Sequence, residues 1–121
     1  VVRAFAQGDG RAALRLLAEY RRAGEDPRRL LFLVVRELRH TLRVRDDLDR
    51  GERLTAWSLA REFHLPRAAA DTLLRSARAT STPAVRGMVD RCVVAYYHLN
   101  SGRAEAGEVL EQLALHVLRA L

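Results

Sequence analysis

The run DPRRLLFLVVRELRHTLRVRDDLDRG, residues 26–51, decides the fold. At about 100° per residue, Leu31, Val34, Val35, Leu38 and Leu42 fall on one face, while Arg29, Arg36, Arg43 and Arg50 recur on the other. Asp26 and Pro27 supply a cap and a first-turn proline, and Gly51 a stop, so the run reads as one amphipathic helix to about Arg50. A long helix with a single apolar face needs other helices to cover it.

Working outward from that helix, the same punctuation divides the rest of the chain. Pro27, Pro66 and Pro83 each precede a stretch with helical periodicity. Residues 1–7 read as a short helix with Val2, Phe5 and Ala6 inward, stopped by Gly8. Asp9 caps a second helix that turns Ala13, Leu14, Leu17 and Tyr20 inward and ends at Gly24. Thr55 caps a helix to Phe63; His64 and Leu65 form a tight turn, and Pro66 opens a helix to about Ala79. Ser81, Thr82 and Pro83 then start a helix reaching Ser101, Gly102 breaks it, and a last helix fills residues 104–121. Nothing alternates with period two for long, so strands are not expected. The expectation is an all-α bundle of six to seven helices, a single domain over residues 1–121.

Composition excludes several classes of function. The 121 residues are 49% hydrophobic and 30% charged, the balance of a globular domain and too short for a catalytic α/β barrel. No apolar run approaches the roughly 20 residues that span a bilayer, and the first residues lack a signal-peptide pattern, so no membrane contact and a cytoplasmic setting are expected. All 21 cations are arginine. Without lysine the phosphate loop of nucleotide hydrolases is impossible. Cys92 stands alone and reads as a small core residue. His40, His64, His98 and His116 lie on separate segments without zinc spacing, and no serine or other nucleophile stands in a catalytic pattern. Neither a metal, a cofactor nor a catalytic residue is expected.

The net charge of +6 raises the question of nucleic acid. Residues 1–51 hold 12 arginines against 8 acids, whereas residues 83–121 hold 4 against 4. Arg29, Arg36, Arg43 and Arg50, with Arg39 and Phe32 beside them, form a stripe that suits phosphate and a stacked base. The competing reading is a solvated face, because Asp47 follows Arg43 by four and Asp46 precedes Arg50 by four, so the stripe is partly neutralised by its own helix. Residues 55–79 also imitate a helix-turn-helix, with Leu59, Ala60, Phe63, Leu65, Ala70 and Leu73 at packing positions and Arg67, Asp71 and Arg75 facing a groove. Against it, His64 occupies the turn position usual for glycine, and the outward face offers alanines and an acid where base-reading groups belong.

The last two helices carry more apolar surface than one core needs. Val94 and Tyr97 point away from the stripe of Val85, Met88, Val89, Cys92, Tyr96 and Leu99; Leu115 and Leu118 lie off the stripe of Val109, Leu110, Leu113 and Val117. Val94, Tyr97, Leu115 and Leu118 are therefore the expected subunit contacts.

The order of these pieces resembles a known family. Gly8-Asp9 followed by Ala12, Ala13, Leu14, Leu16 and Leu17, then Gly24-Glu25-Asp26-Pro27, then Leu30-Leu31-Phe32-Leu33 leading to Arg36, Leu38 and Arg39, resembles the C-terminal domain of the delta subunit of the bacterial DNA polymerase III clamp loader. So does the run from Leu59 to Pro66, with Leu73-Leu74 and Ala77-Arg78 after it. Where that family commonly has an acid and a lysine four apart, this chain has Tyr96 and Asn100. The resemblance implies a non-catalytic collar domain that joins tau/gamma and delta-prime subunits in a pentamer. An AAA+-like part upstream would open the sliding clamp, and any DNA contact would be weak and indifferent to sequence. The alternative is a transcriptional regulator using residues 55–79.

Overall fold

The computed structural model describes residues 9–102 and 105–119, the side chains of 106 and 116–119 excepted. The expected helix over residues 1–7 and the inward place of Val117 fall outside what is described. Six helices follow in order: α1 Gly10–Arg22, α2 Pro27–Asp49, α3 Ala56–Phe63, α4 Arg67–Ala79, α5 Thr82–Asn100 and α6 Ala106–Arg119. No strand occurs among the described residues, and the all-α expectation holds.

The helix ends form where capping chemistry places them. Asp9, Asp26, Thr55 and Ser81 each accept a backbone N–H of the first turn of the following helix, at 3.0 to 3.3 Å. Thr55 and Ser58 make a reciprocal capping box. Pro66 is the N-cap of α4 rather than its first residue and offers no side-chain bond.

Helices α1, α2 and α3 end alike. In each, the residue after a left-handed position returns its N–H to a carbonyl five residues back: Glu25 to Tyr20, Glu52 to Asp47 and Leu65 to Ala60. Gly24 and Gly51 take the left-handed position in the first two, at φ +76° and +81°; His64 takes it in the third, at φ 54°. A side chain at that angle is strained by about 1 kcal/mol relative to glycine.

Two cores share α2 as their spine. Its first half closes over α1, α5 and α6, where Leu17, Leu31, Val34, Cys92 and Leu110 are fully buried. Its second half, with Val44, packs on α3 and α4 through Leu59, Ala70, Leu73 and Ala77. The amphipathic pattern of residues 26–51 thus buries both halves of one face, against different partners. Burying a leucine of this kind stabilises the fold by roughly 1.5 to 3 kcal/mol.

Polar cross-links hold the helices in register. Arg45, with only 18% of its side chain exposed, donates Nη1 to the Ala77 carbonyl at 3.0 Å and Nη2 to Asp49 at 2.7 Å. Asp49 in turn accepts from the Thr82 hydroxyl at 2.6 Å. One arginine so joins α2 to the last turn of α4, and through Asp49 to the start of α5. Arg21 of α1 crosses buried Gly107 to pair with Glu111 of α6; a Cβ at 107 would meet its guanidinium at 3.0 Å.

Candidate interaction surface

The arginine stripe divides in two. All five arginines are exposed, as the helical spacing requires, yet their partners differ from the expected intrahelical pairs. Arg50 pairs with Asp47, and Arg43 reaches across to Glu62 of α3. The cause is tertiary: α3 brings Glu62 within reach of Arg43, which leaves Asp47 to Arg50. Arg43 also lies over the Phe63 ring, 5.2 Å from its centroid. A groove of about 550 Å³ here is lined by Arg39, Arg43 and Arg50 but also by Asp46, Asp47, Glu52 and Glu62. Four carboxylates against three guanidiniums leave this groove without a cationic excess. At the other end of α2, Arg29 and Arg36 meet no carboxylate at ion-pair distance among the described residues, nor does Arg39, and Phe32 stands 60% exposed.

Burial shifts the titration of Cys92 and of His40. Cys92 is fully buried and its thiol is pushed up to about 11 by desolvation. His40 has a buried Nδ1 without a hydrogen-bond partner among the described residues, and its ring centroid lies 4.8 Å from that of Phe63. Burial holds its pKa below the usual histidine range; Glu37 opposes that shift, while Arg36 and Arg43 add to it. The described residues contain no cluster of three metal-ligating side chains, and no helix among them is long and apolar enough to cross a membrane.

The outward face of α5 carries a cluster of exposed apolar side chains among Arg86, Asp90 and Arg91. Val94 and Tyr97 are 54% and 62% exposed, as the spacing predicts, and Val93, which sequence reasoning missed, is 54% exposed. Beside them a groove of about 850 Å³ runs between α5 and α6, with Val94, Ala95, Val109 and Leu113 among its lining. Leu115 does not face outward as expected. It is half-buried and lines a smaller groove with Leu14, Leu17 and Ala18 of α1, because α1 packs along α6. The side chain of Leu118 lies outside the described residues. Tyr96 packs against the larger core, and its phenol is pushed up mainly by desolvation. Trp57, also missed, is 55% exposed with Arg61 stacked 4.8 Å from its centroid. The i, i+4 spacing of that pair on α3 was the signal available.

The helix-turn-helix reading of residues 55–79 gains nothing from this geometry. Arg75 is tied to Asp71 on its own helix, and the turn is a helix-capping device.

The fold is that of the helical domain of a clamp-loader delta protein. It matches the Bacillus subtilis DNA clamp loader delta protein (YqeN) with a TM-score of 0.80 at 16% identity, over 98% of this chain and 34% of that one. The sequence supplies the family: the DNA polymerase III delta subunit, C-terminal domain, matches residues 1–117, and the chain belongs to that family. No curated protein matches it significantly by sequence.

Proposed function

We propose that this domain is a non-catalytic collar that holds its subunit among the other clamp-loader subunits, tau/gamma and delta-prime, in the cytoplasm. The observation that carries the reading is the exposed apolar face of α5, where Val93, Val94 and Tyr97 stand together beside the α5–α6 groove in a domain of this family. Large apolar side chains gathered on one helix face favour a protein partner over solvent. The chain spans 34% of the length of the Bacillus subtilis protein; in this proposal a part N-terminal to the collar grips and opens the sliding clamp.

The test is assembly. Val94→Glu with Tyr97→Glu places two charges on an exposed face, so helicity and melting temperature should hold while co-purification with tau/gamma is lost. Unchanged co-purification would show that the patch is not the contact. A second reading applies to Arg29, Arg36 and Arg39, whose freedom from ion pairs among the described residues favours weak, salt-sensitive DNA contact. Replacing all three by alanine should lower such binding equally for every sequence, and a sequence-dependent effect would oppose it.

A further inference from the structure

We infer that the α5–α6 groove is the seat of a basic amphipathic helix contributed by another clamp-loader subunit. The inference rests on the assembly reading and adds the chemistry of the partner. The groove between the two helices is lined by exposed Val94 and by Ala95, Val109 and Leu113, which are buried in the larger core, and a third helix laid along it sets its apolar ridge against Val94.

Charge selects which helix. The rim carries Asp90, Glu108 and Glu111 against Arg91, with His98 beside them. Glu111 is already engaged by Arg21, whereas Asp90 and Glu108 meet no cation at ion-pair distance among the described residues. This acidic rim lies on a chain of net charge +6 whose cationic excess is concentrated before residue 83. The two unpaired carboxylates on this rim draw a basic helix to the groove. On the assembly reading the occupant is a different subunit rather than a second copy of this chain.

The experiment reconstitutes the loader from this chain and the other clamp-loader subunits and measures their association over a salt series. Asp90→Arg with Glu108→Arg should weaken association by about tenfold or more and flatten its salt dependence; Asp90→Asn with Glu108→Gln should fall between. Both sites are exposed, so circular dichroism should report an unchanged fold. If these variants associate normally while Val94→Glu with Tyr97→Glu does not, the inference fails and the assembly reading stands. If neither pair changes association, both fail. Tighter binding by the arginine variants identifies an acidic partner and overturns the inference, as does self-association of this chain at the groove in the absence of other subunits.

Discussion

Arg45 Nη1 lies 3.0 Å from the carbonyl oxygen of Ala77, 32 residues away in sequence. That carbonyl belongs to the last turn of α4, where intrahelical donors run out and the helix dipole presents negative charge. A guanidinium there both satisfies an orphan acceptor and opposes the dipole.

Arg45→Met keeps the apolar stem and removes the donor. The loss of a charged hydrogen bond at a largely buried site should cost about 1.5 to 3 kcal/mol in urea unfolding. Asp49→Ala, which removes the carboxylate that Arg45 and Thr82 share and leaves the Ala77 bond, should cost clearly less. Equal effects would show that the Ala77 bond contributes nothing of its own.

His64 occupies a backbone angle that suits glycine, and its side chain is exposed. His64→Gly should raise stability by about 1 kcal/mol, since relief of the left-handed strain outweighs the added freedom of the unfolded chain. A fall in melting temperature would mean that the imidazole makes a compensating contact.

His40 should make the fold acid-sensitive. Its folded-state pKa lies below the ordinary 6.5, so as pH drops through that value the unfolded chain takes up a proton that the folded chain resists. Stability is thus fully present above about pH 6.5, declines below it, and levels off once pH passes the folded-state pKa. His40→Gln should flatten this part of the stability profile, read by denaturant melts from pH 7.5 to 5. A wild-type profile that is flat over that range would refute the assignment.

Cys92 should resist thiol reagents in the native state. With the thiol fully buried and its pKa near 11, only about one molecule in a thousand is a thiolate at pH 8. Labelling should then follow the opening of the α2–α5–α6 core, accelerating with denaturant. Rapid labelling of folded protein would contradict the packing described.

Much of the fold was legible because capping and periodicity are local. Asp26-Pro27 and Gly51 bracket α2 in sequence as in space, and of its expected inward face Leu31, Val34, Val35 and Leu38 are buried and Leu42 half-buried. Val94 and Tyr97 were legible for the same reason: their angle on α5 follows from spacing alone. The half-burial of Leu115 was not legible, because how far a residue off the main stripe meets solvent depends on which neighbour packs along that flank, and α1 packs along this one.

By itself the sequence determined the six described helices, most of their caps, the inward stripe of α2 and the family. Those properties follow from residues within a few turns of one another, and from their order along the chain. Tertiary structure alone decided that α2 serves two cores, that Arg43 turns to Glu62, that Arg45 closes the end of α4, and that α5 and α6 leave an acid-rimmed groove between them. Each of these joins groups far apart in the chain. No local rule fixes such pairings, because they depend on how helices settle against one another once their apolar faces are buried.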